Sequence, residues 1–209
     1  MNILDQVILL VTGLIALYLV WRFWSRYQAH RGLHDIYYMM GFLVLLVSGV
    51  LLIFLSYSIL ASPYVLTVAS LIPLGISLGV ANQYFPSWKR IYAWFALIGI
   101  LAIAISSIGG FETAKKIAVP LFHGVAGLII LICPIYASVR EIAASRSFWW
   151  VGVGGALIGL GGIALAFLSA GTQFLFFSQA LVLTILAPLL LLMTLAFAWG
   201  FTKDIRATV

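Results

Sequence analysis

Apolar residues in this chain neither alternate nor keep to a single helical face; they come in long unbroken runs separated by short polar interruptions. Seven runs stand out, approximately Val7 to Phe23, Tyr37 to Leu60, Tyr64 to Tyr84, Ile91 to Ile108, Ile117 to Val139, Phe148 to Ala170 and Phe174 to Phe201. The hydrocarbon core of a bilayer is roughly 30 Å thick and a helix rises about 1.5 Å per residue, so each run predicts one crossing. Continuous hydrophobicity excludes a β-barrel, whose strands alternate. The expected fold is all-α: a polytopic membrane protein of seven transmembrane helices, with residues 1–209 forming one domain. The connections are too short to hold a water-soluble domain.

The polar interruptions predict the orientation. "MNILDQ" lacks the basic segment of a cleaved signal, so the first run reads as a retained helix. Arg22, Arg26, Arg31, Lys89, Arg90, Arg140, Arg146, Lys203 and Arg206 fall on one side of a seven-span plan, and only Lys115 and Lys116 on the other. By the positive-inside rule the amino terminus lies outside and the carboxyl terminus in the cytoplasm, in a cytoplasmic (inner) membrane. Arg22, Arg26, Arg31, Lys89 and Arg90 are expected to meet anionic lipid headgroups. Trp21, Trp24, Tyr37, Tyr38, Trp88, Tyr92, Trp149, Trp150 and Trp199 would form an aromatic belt near the inner face.

Composition agrees: 65% of residues are hydrophobic and 8% charged, with a mean hydropathy of +1.21. A pI near 9.7 would point to nucleic acid in a soluble chain. Here the basic residues occupy gaps between spans, so they read as orientation signals and no nucleic-acid partner is expected. The single cysteine, Cys133, rules out an internal disulfide and a CxxC redox motif.

Small residues mark helix contacts. Gly155, Gly159, Gly162 and Ala166 recur at helical spacing on the sixth predicted helix, and Gly75 and Gly79 do so on the third. In lipid, such faces let backbones approach closely. They serve either packing within the chain or an interface between subunits. A possible internal repeat lays "GFLVLLVSGVLLIFLS" from Gly41 over "GGALIGLGGIALAFLS" from Gly154, pairing Gly49 with Gly162 and bringing Pro73 close to Pro188. It implies a 3+1+3 plan of two parallel triplets, a topology similar to that of the SWEET sugar transporters.

Candidate chemistry is sparse. The last span holds no lysine for a retinal Schiff base, and no Asp or Glu falls well inside any span, which disfavours a carboxylate proton pump. An enzyme acting on lipid would be expected to show a buried acid or a histidine pair. Neither is apparent, and no catalytic residue is assigned. His123, following Pro120, lies about a third of the way into the bilayer from the outer face. It is either a core imidazole hydrogen-bonded to a neighbour or a ligand-binding residue, and in the latter case it suits a single axial bond to haem or a chlorophyll-type pigment. Tyr57, Ser107, His123 and Gln179 are at comparable depth and would line an outward-facing cavity. His30, His34 and Asp35 make a metal site only on paper, because Arg26 and Arg31 lie beside them; no metal or cofactor is predicted.

Through "VPLFHGVAGL" (Val119 to Leu128), the basic-aromatic first loop and "APLLLLMTLAFAWGF" (Ala187 to Phe201), the chain resembles small, functionally uncharacterised bacterial seven-helix membrane proteins. The resemblance runs over nearly the whole chain and implies no activity. Two function classes follow. One is a non-catalytic accessory or scaffold subunit, assembling as a homo-oligomer or in a larger membrane complex through its small-residue faces. The other is a carrier or receptor for a small ligand, lipid or pigment, using the cavity around His123.

Overall fold

The computed structural model describes residues 1–169 and 178–208. All of its regular structure is helical: α1 (Ile3–His30), α2 (Leu33–Leu55), α3 (Pro63–Ala69), α4 (Leu71–Tyr84), α5 (Lys89–Ile108), α6 (Glu112–Val139), α7 (Trp149–Ser169) and α8 (Gln179–Thr208). Among the described residues six helical segments are long and apolar enough to cross a membrane, α3 and α4 counting together as Pro63–Tyr84. The chain is a multi-pass membrane protein. Leu10, Leu14, Val47, Leu97, Leu101, Leu128, Ile132, Leu192 and Leu195 point outward from five helices, where a lipid solvent leaves them at no cost.

Local chemistry sets the helix ends, and they differ from the hydropathy boundaries. The Asn2 side chain accepts from the Asp5 N–H at 2.7 Å and starts α1. Arg31, in the left-handed conformation at φ 53°, ends it with its N–H on the Tyr27 carbonyl. The predicted loop between the first two spans is thus only Arg31 and Gly32, and the rest of "RYQAHRGLHD" is helical. At the far end α2 stops at Leu55 rather than Leu60, because Ser56 turns the chain at φ 59° into a short 3-10 segment, Tyr57–Ala61. Gly110, at φ 72°, occupies the turn between α5 and α6 that a side chain would strain.

The helices close into a ring. α1 packs broadly on α2, α2 on α4, α4 on α6, α6 on α7, α7 on α8, and α8 returns to α1; α5 stands outside it against α3, α4 and α6. Phe23, Tyr38, Phe42, Phe197 and Phe201 fill one end of the interior, Phe23 stacking on Tyr38 at 4.8 Å between centroids and Phe201 meeting Tyr38 edge-on at 4.7 Å. Two residues expected in the aromatic belt belong to the core instead. Tyr38 is fully buried, and Tyr92 is buried with its hydroxyl donating to Ser77 Oγ at 2.7 Å.

The small-residue faces lie inside the chain. A Cβ on Gly155 would come within 2.6 Å of the Ile130 carbonyl carbon of α6, and one on Gly75 within 2.9 Å of the Tyr37 carbonyl oxygen of α2. Gly79 leaves room for the Tyr38 ring. Gly159 and Gly162 border α6 less tightly: a Cβ on Gly159 meets nothing within 4 Å, and one on Gly162 only His123 Cδ2, at 4.0 Å. The Ala166 side chain lies outside the described residues.

Candidate functional site

Of the side chains expected to share a cavity, the three described, Tyr57, Ser107 and His123, do not line one together. His123 sits on α6 facing α7, and its Nδ1–H donates to the Val119 carbonyl of its own helix at 3.1 Å. Pro120 and Pro134 both lie within continuous helix. Ser107 is buried near the end of α5, and its hydroxyl has no hydrogen-bond partner. Tyr57 belongs to the turn after α2 and packs with Leu9, Leu52 and Ala187. Its buried hydroxyl lies beside the Asp5 carboxylate without meeting hydrogen-bond geometry. Beside it is an open cavity of about 250 Å³ lined by Met1, Asn2, Asp5, Tyr57, Leu183 and Thr184, which includes neither His123 nor Ser107. The Gln179 side chain lies outside the described residues.

At the opposite end of the ring the structure holds a group that sequence reasoning missed. Arg26, expected at the lipid headgroups, is 4% exposed. Its Nε donates to Asp35 Oδ1 at 2.6 Å, and its Nη2 is 2.6 Å from the same oxygen but poorly aligned for a hydrogen bond. Its Nη1 is 3.8 Å from Asp204 Oδ2. Both aspartates are fully buried, so the expectation of no buried acid fails as well. The physical reason is helix phase. Arg26 continues the buried stripe of α1 through Leu19 and Phe23, Asp35 begins that of α2 through Tyr38 and Phe42, and Asp204 continues Phe197 and Phe201 on α8.

Donors converge on Asp204. Tyr84 Oη donates to Oδ2 at 2.6 Å, Gln83 Nε2 to the same oxygen at 3.3 Å, and the Ala144 N–H to Oδ1 at 3.1 Å. Tyr38 joins the network through Gln83 Oε1 at 3.0 Å. The cluster thereby ties α1, α2, α4, α8 and the α6–α7 connection together at one end. Buried charges of this kind persist only when paired and hydrogen-bonded.

The other basic residues assigned to headgroups stay at the surface. Lys89 and Arg90 are exposed at the start of α5, Arg31 lies over the Tyr27 ring at 5.4 Å, and Arg22 reaches Tyr18 Oη at 3.5 Å. His30 donates from Nδ1 to the Arg26 carbonyl at 3.3 Å, and His34 Nε2 is 3.8 Å from Asp35 Oδ2. Among the described residues no group of three His, Cys, Asp or Glu is arranged to hold a metal ion.

No family model matches this chain, and no curated protein and no solved structure matches it.

Proposed function

We propose that the chain is a non-catalytic carrier of a small hydrogen-bonding ligand, made of two parallel three-helix halves that meet around the ring and a linker helix, α5. In this reading it spans the inner membrane of a bacterium seven times, α7 adding the sixth crossing in chain order, with the amino terminus outside and the carboxyl terminus in the cytoplasm. The observation that carries it is the pattern of helix contacts. When α1 is exchanged with α6, α2 with α7 and α4 with α8, the six broad contacts map onto one another: α1–α2 onto α6–α7, α2–α4 onto α7–α8, and α1–α8 onto α6–α4. A 3+1+3 duplication, the plan suggested by the repeat, would produce this contact pattern. Carriers built from such halves place their sites between them and alternate by rocking one half against the other.

The two ends of the ring then take different roles. Arg26, Asp35, Gln83 and Tyr84 of the first half close on Asp204 of the second, forming a cytoplasmic gate. The cavity beside Tyr57, shared by α1 and α8, is the outer vestibule, and Asp5 and Thr184 offer its polar contacts. His123, whose ring lies toward α7, is a packing residue in this reading, and no haem or pigment is assigned to it.

The accessory-subunit reading has less behind it, since Gly155, Gly75 and Gly79 are already covered within the chain, which leaves Gly159 and Gly162 of the predicted faces for a partner. The gate is tested with a cysteine at Val80, a fully buried core position one turn from Gln83, in a Cys133→Ala background in sealed vesicles. Asp204→Asn should open it to an impermeant thiol reagent from the cytoplasmic side while the intact cluster keeps it closed. Equal protection in both would remove the gate.

A further inference from the structure

The buried cluster has two carboxylates and one guanidinium, and its hydrogen bonds distinguish the carboxylates. Asp204 receives Tyr84, Gln83 and the Ala144 N–H, with Arg26 Nη1 at 3.8 Å; every neighbour named is a donor, which suits an anion. Asp35 is held through Oδ1 alone. Its Oδ2 is buried with no hydrogen-bond partner, and His34 Nε2 lies 3.8 Å from it, beyond hydrogen-bond distance. Leaving a carboxylate oxygen buried and unpaired is costly, and so is a net negative charge in that setting. One proton relieves both.

We propose that Asp35 Oδ2 and His34 Nε2 form a proton-binding site that takes up one proton from the water at this end of the bundle. His34 is 23% exposed and is the contact with solvent, whereas Asp35 is sealed. The proton enters on the His34 imidazole and passes to Oδ2, the ring returning to neutral, so that a water-derived proton neutralises the excess charge and no other bond changes. The charged and titratable groups around the site are Arg26 and His30 on α1, His34 and Tyr38 on α2, Tyr84 on α4 and Asp204 on α8. Because Arg26 is shared, neutralising Asp35 frees the guanidinium toward Asp204 and loosens the tie between α1 and α2. The inference stands apart from the carrier reading: an absent proton site leaves ligand binding possible, and an absent ligand leaves the proton site in place.

Infrared difference spectroscopy of the full chain in bilayers, stepped in pH and with carboxyl-labelled aspartate, tests it. The only aspartates are Asp5, Asp35 and Asp204. The expected result is an isotope-shifted carboxylic acid C=O band that survives Asp5→Asn, is lost in Asp35→Asn and moves to lower pH in Asp204→Asn, where one guanidinium serves one carboxylate. His34→Gln should keep the band and shift its frequency, since the polar group facing Oδ2 changes. A band that vanishes with Asp5→Asn, or that survives Asp35→Asn, overturns the proposal. Should Asp35→Asn fail to fold, the comparison of the native chain with Asp5→Asn and with Asp204→Asn still decides, because a band lost in either, or no band at all, means that Asp35 holds no proton. A band indifferent to His34→Gln removes His34 from the site and overturns the shared proton.

Discussion

Arg26 and Asp35 face one another across the two-residue turn between α1 and α2, Nε 2.6 Å from Oδ1, both closed off from solvent. The pair turns what hydropathy reads as a basic loop into a buried polar contact. Asp204 brings α8 to the same guanidinium, 178 residues along the chain from Arg26 (204 − 26), and so locks the first helices to the last.

Removing the guanidinium strands two buried carboxylates. Arg26→Met should cost about 3–5 kcal/mol, the usual effect of breaking a buried pair from one side. Adding Asp35→Leu should recover much of that loss. Unfolding in mixed micelles measures both; a single substitution as mild as the double one would mean that the pair is not buried in the native state.

Two tyrosines give a comparison at matched distances. Tyr84 donates to a carboxylate at 2.6 Å and Tyr92 to a serine hydroxyl at 2.7 Å. Hydrogen bonds to charged groups contribute about 1.5–3 kcal/mol and neutral ones about 0.5–1.5 kcal/mol. Tyr84→Phe should therefore destabilise more than Tyr92→Phe in the same unfolding assay, and the reverse order would contradict an ionised Asp204.

The glycine stripe of α7 should respond unevenly. Gly155→Ala drives a Cβ into the α6 backbone at 2.6 Å and is expected to cost about 1–3 kcal/mol through overpacking. Gly159→Ala has open space and should be near neutral. Equal losses at the two positions would show that α6 and α7 pack in a different register.

Topology is accessible to labelling. In a Cys133→Ala background, a cysteine at Lys115 should react with an impermeant reagent added to intact cells, and one at Arg140 only after permeabilisation. The opposite pattern would invert the bundle and place the charged cluster at the outer face.

Hydropathy located most helices because a spanning helix needs little beyond length and apolarity. It misplaced their ends because Asn2, Arg31 and Ser56 end helices through capping and backbone conformation, which hydrophobicity does not report. The charged cluster escaped notice for a related reason: Arg26, Asp35 and Asp204 all lie beside other charges outside the apolar runs, where they pass for headgroup contacts. Their phase carried the signal. Each extends a stripe of buried residues at three- and four-residue spacing, Leu19–Phe23–Arg26 being the plainest. The failure of Tyr57 and His123 to share a cavity was not legible at all, since equal depth in a bilayer says nothing about which side of the ring a residue occupies.

Native mass spectrometry of the gently solubilised full chain tests the carrier reading most directly, because it reports subunit number and retained small molecules together. The account predicts a monomer with a stoichiometric small mass that is lost on Thr184→Leu, which fills the cavity beside Tyr57, and kept on His123→Leu. A ligand-free homo-oligomer would contradict it and restore the scaffold reading.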